Sequence, residues 1–271
     1  MSLSYEVHKI LKTIVEKTYP NEKILSFFVE VHAKEMRSRH GDYNRRERKI
    51  RIFNLSQPTE YTVGTALHEV AHHVEYSLYG DTGHSKRFYQ VFKELLETAV
   101  QMGVVDYQKL RTQQNASDIR ALEKHFGPVT STYNPEIDDK RNMYVIEVMN
   151  SYSIKDILKS RGYKFQAQKQ CWSMEVEEQD IEQEKNLILQ HLSPENLNIR
   201  KANDINIEAI YYVIVHNSYS CKDQLKQNGY YFNGYNQKGN VWVKKIKSTE
   251  LRQEETFLQQ FKDIKVTIKG S

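Results

Sequence analysis

The sequence predicts an α+β chain in three parts: an N-terminal region of amphipathic helices around a small antiparallel sheet, then two tandem βαββα-like units. Three observations carry this. Helical and strand-like apolar spacing alternate over roughly the first hundred residues, the pattern weakens between 113 and 141, and one block of the C-terminal half recurs at a fixed offset. The expected parts are 1–135, 136–205 and 206–271.

In the first part, Leu3, Val7, Ile10, Leu11, Ile14 and Val15 form a helical stripe that stops at Pro20-Asn21. Residues 27–31, 36–44 and 49–54 then alternate as short strands expected to pair antiparallel. From Lys34 to Arg51 there are eight Lys/Arg against three acids. Such a run is either a solvated strand face or a surface for an acidic partner, and Arg45, Arg46, Arg48, Lys49 and Arg51 are the candidates for the second role. Val63, Leu67, Val70, Ala71, Val74 and Leu78 form a second helix ending at Gly80. A third begins after Ser85, an expected N-cap, with Phe88, Val91, Phe92, Leu95 and Leu96 on one face. Asn115-Ala116-Ser117, Gly127-Pro128 and Asn134-Pro135 punctuate the boundary that follows.

The internal repeat is explicit. Asn150-Ser151-Tyr152-Ser153 returns as Asn217-Ser218-Tyr219-Ser220, an offset of 67 that also carries Lys155-Asp156, Leu158, Gly162-Tyr163 and Phe165 onto later copies. Trp172 maps to Trp242 at an offset of 70, so three residues are inserted near Asn236 to Asn240. Each unit reads as a strand, a short helix opened by a capping box (Ser153/Asp156; Ser220/Asp223), a hairpin, and a charged helix near 180–192 or 249–261.

Composition bounds the function. With 39% hydrophobic residues and 18 tyrosines the chain can bury a core, and no apolar run approaches the roughly 18 residues of a membrane span. Cys171 and Cys221 are the two cysteines, so the expected setting is a reducing cytoplasm, at the nucleoid in a bacterium, with no membrane partner. Any metal site must be built from His and carboxylates. Both cysteines are expected to pack as small hydrophobes.

That chemistry is concentrated in His68-Glu69-Val70-Ala71-His72. Two histidines four apart on a helix lie about 40° apart around its axis, so both imidazoles can face one ion. Neutral imidazole suits Zn2+, and a catalytic zinc has three protein ligands and a water, from which Glu69 can take a proton. Glu75 and Leu78 stand where a metzincin needs Gly and His, which excludes that class. Candidates for the third ligand are Glu94, Glu97 and, better placed after a glycine-bracketed turn, His84. His73 points about 100° away from His72 and is expected to pack or be solvated.

His-Glu-x-x-His followed by Gly83-His84-Ser85-Lys86-Arg87-Phe88, after a helix and a small basic sheet, resembles the SprT-like or Spartan-like zinc metalloprotease family over about residues 1–110. The resemblance implies a zincin-type domain with zinc on His68, His72 and His84 and Glu69 as catalytic base. It further implies proteolysis of proteins bound or crosslinked to DNA, with single-stranded or junction-containing DNA as a partner. The repeats stand where some members carry a Cys-rich zinc ribbon, and are weakly similar to HARP-type aromatic-rich modules. Physically, Tyr163, Phe165 and Trp172, with Tyr230, Phe232 and Trp242, are candidates to stack bases or to form the unit cores. Lys155, Lys159, Lys222 and Lys226 are candidates to meet phosphates. The second unit, with eight basic and five acidic residues over 207–262, suits nucleic acid better than the first, with six and eight over 143–192. Two rival readings stand beside this one: a regulatory metallopeptidase cleaving a specific repressor or antitoxin, and a non-catalytic zinc-containing binding protein, which a fourth ligand such as Asp81 or Glu94 would favour. Oligomeric state is left open.

Overall fold

The computed structural model describes residues 3–32, 36, 39–112 and 117–270. Lys34 and Arg37 of the basic count, and Asn115-Ala116 of the boundary, lie outside them. The chain is mixed α+β. Helix α1 (Leu3–Thr18) leads to β1 (Phe28–Val31), β2 (Gly41–Asn44) and β3 (Lys49–Ile52), followed by the long helices α2 (Thr59–Tyr79) and α3 (Lys86–Gln101) and the short α4 (Tyr107–Thr112) and α5 (Ser117–Phe126). The first sheet has the order β1-β3-β2. β2 and β3 form the expected antiparallel hairpin, but β1 runs parallel to β3, with Phe28 opposite Lys49 and Val31 opposite Ile52. β3 takes the centre of the sheet, with β1 parallel on one side of it and β2 antiparallel on the other. Alternation along β3 buries Ile50 and Ile52 against the helices.

Two further four-stranded sheets follow. One contains β4 (Met143–Met149), β5 (Lys164–Gln166), β6 (Cys171–Glu177) and β7 (Leu197–Lys201) in the order β5-β6-β4-β7, with helices α6 (Lys155–Ser160) and α7 (Ile181–Leu189) in its connections. The other contains β8 (Ile210–His216), β9 (Tyr231–Phe232), β10 (Trp242–Lys247) and β11 (Lys265–Gly270) in the order β9-β10-β8-β11, with α8 (Lys222–Gln227) and α9 (Leu251–Leu258). Each unit therefore ends in a fourth strand, β7 or β11, beyond the expected βαββα pattern, which covers the otherwise open edge of its first strand.

The two units agree at the level of backbone angles. Asn150 and Asn217 both have positive φ, 46° and 54°, and Ser151 and Ser218 follow at φ −104° and −106°. Neither short helix uses the expected capping box. A 3-10 turn, Tyr152–Ile154 or Tyr219–Cys221, runs directly into the helix, and Ile154 and Cys221 offer no side-chain cap. Inside each unit a tyrosine hydroxyl donates to a buried glutamate of the second helix: Tyr163 to Glu184 at 3.2 Å, and Tyr230 to Glu254 at 2.7 Å.

The cores divide unevenly. Ile146, Val148, Leu158, Tyr163 and Ile188 form a separate core in the first unit. Tyr211, Val213, Leu225, Ile246 and Leu251 of the second unit instead join the same core as Leu11, Leu67 and Phe92. The first unit is fastened to α1 by a nearly buried ion-pair group, in which Glu147 receives Lys169 at 3.4 Å, Arg200 at 3.0 Å and Asn198 at 2.8 Å, while Lys169 also reaches Glu6 at 3.1 Å. Among the described residues no helix is long and apolar enough to cross a membrane.

Candidate metal centre

α2 carries His68 and His72 on the face turned toward α3. It ends at Gly80 in the left-handed region, φ 75°, where the amide donates to Tyr76 O at 2.8 Å. The turn that follows leads to Ser85, whose hydroxyl accepts the Phe88 amide at 3.4 Å and starts α3. This tight stop and restart bring His84 back onto α2. The three Nε2 atoms lie 3.2 Å (His68–His72), 3.3 Å (His72–His84) and 3.0 Å (His84–His68) apart.

Nitrogens bonded to one tetrahedral ion at about 2.0–2.1 Å stand about 3.3–3.4 Å from one another, so the triangle is nearly that of three ligands on a shared metal. A hydrogen-bonded trio is a poor alternative, because each contact needs one ring to donate and the other to accept. The donor set fits a first-row ion such as zinc. Burial, then the neighbouring imidazoles, push His68 and His72 down to about 3, so both are neutral and ready to ligate at physiological pH.

The surroundings fix each ring. His72 Nδ1 is 2.8 Å from Thr82 Oγ1, and His68 Nδ1 lies 3.3 Å from Asp118 Oδ2, close but not aligned as a hydrogen bond. Glu75, fully buried, accepts from the Gly83 amide at 3.2 Å and from Arg87 Nε at 2.8 Å. Burial alone would raise its carboxyl, but Arg87, Thr82 and Gly83 hold it below the ordinary range. Phe88 packs its ring within 4.3–5.1 Å of all three imidazole centroids and forms the floor of the site. Glu69 is buried beside them. Its carboxyl is pushed up to about 8, first by burial and then by the charges of Asp42 and Asp118. β2 passes so near that a Cβ on Gly41 would meet Thr65 Cγ2 at 2.9 Å and Glu69 Cγ at 3.0 Å.

Among the described residues no carboxylate joins the three histidines as a ligand-spaced group. Glu94 bonds Tyr19 and Gln90, Glu97 pairs with Lys93 at 2.5 Å, and Asp81 is exposed. His73 is buried, 2.9 Å from Tyr43 Oη and 2.8 Å from Ile24 O. Of the basic strand residues, Lys49 is engaged by Glu30 and Glu47, and Arg51 by Asp42. Arg45, Arg46 and Arg48 remain exposed in the β2–β3 turn. In the second unit Tyr230 is buried and bonded to Glu254, which removes it as a stacking residue, and Trp242 is partly buried against Phe232. Lys222 lies over the Tyr219 ring at 4.9 Å, and Lys226 is exposed on α8. Cys171 and Cys221 are buried and unpaired with one another.

Asp118 and Glu75 are the site residues that sequence reasoning missed. Asp118 sits in the first turn of an amphipathic helix, a local signal for a helix start, but no spacing ties it to His68. No family model matches the chain, and comparison with curated proteins and with solved structures gives no match.

Proposed function

We propose that the chain is a zinc-dependent endopeptidase of the zincin type, in line with its resemblance to the SprT-like family. The observation that carries this is the convergence of His68, His72 and His84 with the buried Glu69 beside them. Zinc held there would polarise a scissile carbonyl and acidify a water. With the charge of a bound ion offsetting the burial that raises its carboxyl, Glu69 would take the proton of the attacking water and return it to the departing amine nitrogen. Thr82 and Phe88 orient the imidazoles. β2 lies at the edge of its sheet against α2, where an extended peptide could add as a further strand and bring its backbone to Glu69. An ion with three protein ligands keeps a position open for chemistry, which supports a catalytic over a structural metal.

The target class is proposed as proteins held on or crosslinked to DNA. Exposed Arg45, Arg46 and Arg48 support it, although Lys49 and Arg51 are engaged within the sheet. Zinc-loaded protein incubated with a DNA-binding protein, with and without single-stranded DNA, tests both parts. Cleavage should require DNA and should fall at least about a hundred-fold in Glu69→Gln while zinc stays bound. Cleavage by Glu69→Gln at the wild-type rate sinks the catalytic assignment, and DNA-independent cleavage of one preferred protein favours a regulatory peptidase.

A further inference from the structure

Among the described residues the most exposed large hydrophobic side chains are a repeated pair. Tyr152 is 81% and Tyr219 85% exposed, and each has a lysine ammonium over its ring, Lys155 at 4.4 Å and Lys222 at 4.9 Å. Each unit also carries an aromatic pair in matching geometry, which in the first lines one groove with Tyr152. Phe165 and Trp172 are cross-strand neighbours with centroids 5.6 Å apart, and Phe232 and Trp242 repeat the pairing at 5.6 Å. Phe165 and Phe232 are each about half exposed. In the first unit the set borders a groove of about 820 Å3, which Lys245 of the second unit also lines.

A buried position of the same turn differs between the units, Ile154 against Cys221, while the solvent-facing tyrosine, lysine and phenylalanine are the same in both. The exposed faces of Tyr152, Tyr219, Phe165 and Phe232 cost solvation, while Trp172 and Trp242 behind them also pack against the cores. Their combination with lysines that have no carboxylate partner among the described contacts suits a ligand with flat apolar faces and regularly spaced negative charge.

We propose that each C-terminal unit stacks a base of a single-stranded nucleic acid on its Tyr-Phe-Trp platform, Tyr152, Phe165 and Trp172 in one and Tyr219, Phe232 and Trp242 in the other, with Lys155, Lys222 and Lys245 meeting the phosphates. The assignment is independent of proteolysis. It moves the contact from Tyr230, which is core, to Tyr219, which faces solvent.

The test uses the full chain and a fluorescein-labelled oligothymidine of about 20 nucleotides, long enough to span more than one stacking site. Anisotropy should report binding that weakens with salt, and duplex DNA of equal length, whose base faces are hidden, should bind at least about ten-fold more weakly. Because Trp172 and Trp242 are the chain's two tryptophans, the unlabelled oligomer should also quench the intrinsic fluorescence. Tyr152→Ala/Tyr219→Ala should lose at least about ten-fold in affinity at unchanged thermal stability, since neither ring is buried, and the double Phe variant should restore it. Absence of binding, duplex binding as tight as single-strand binding, binding without quenching, or a double Ala variant that binds like wild type would each overturn the proposal.

Discussion

The carboxylate of Glu75 accepts the backbone amide of Gly83 at 3.2 Å, so a buried residue of α2 holds the turn that delivers the third histidine. Arg87, at the start of α3, closes the same carboxylate from the other side at 2.8 Å. Helix, turn and helix are thereby locked around His84 without any of these groups touching the Nε2 triangle.

Glu75→Gln should weaken this lock without emptying the space it fills. Supporting groups of this kind are worth about 10–100-fold in metal affinity, so the variant's zinc affinity, measured by competition with a chromophoric chelator, should fall by about that factor. Wild-type affinity in the variant would show that Gly80 and the Ser85 cap position His84 unaided.

Gly41→Ala isolates Glu69 from the metal. The added Cβ would sit 2.9 Å from Thr65 Cγ2 and 3.0 Å from Glu69 Cγ, distances that force a shift. Peptidase turnover should drop about ten-fold or more through displacement of the base, while zinc content stays stoichiometric, because a misplacement of about 1 Å costs on the order of a hundred-fold in rate. Unchanged turnover would mean that β2 moves away instead.

Glu147 gives the stability a defined acid limb. Burial alone would raise its carboxyl, but Lys169 and Arg200 override that and hold it below 4.5. The stabilisation is therefore complete above about pH 4.5 and is lost as pH falls through the depressed folded value. Glu147→Gln, which strips nearly buried Arg200 of its carboxylate and leaves Lys169 with Glu6 alone, should cost about 3 kcal/mol at neutral pH and flatten this limb of the stability curve in urea titrations from pH 7 to 3. A variant whose loss is equal at both ends would refute the linkage.

What was legible in the sequence was what depends on local spacing. His68 and His72 share a face because helices turn every 3.6 residues, and Gly80, Gly83 and Ser85 announce the turn that returns His84. The parallel pairing of β1 with β3 was not legible, since hydrophobic alternation gives a strand its faces but not its neighbours. Strands β7 and β11 were missed because they lie beyond the repeated block that defined the units, although Leu197 and Ile199, like Val266 and Ile268, alternate with polar residues. Tyr230 and Tyr219 illustrate the same limit at one residue: composition marks both as aromatic, and only the register of the turn shows that one points at Glu254 and the other at water.

The shared core sets an order of events in synthesis. Tyr211, Ile246 and Leu251 complete the same apolar interior as Leu11, Leu67 and Phe92, although more than a hundred residues separate the two groups in the chain. While the ribosome is still adding the first C-terminal unit, the core to which α2 and α3 contribute lacks these residues. The core shared with α2 and α3 is thus complete only once α9 has emerged, and a chain terminated after the first unit would carry His68, His72 and His84 on an incomplete scaffold.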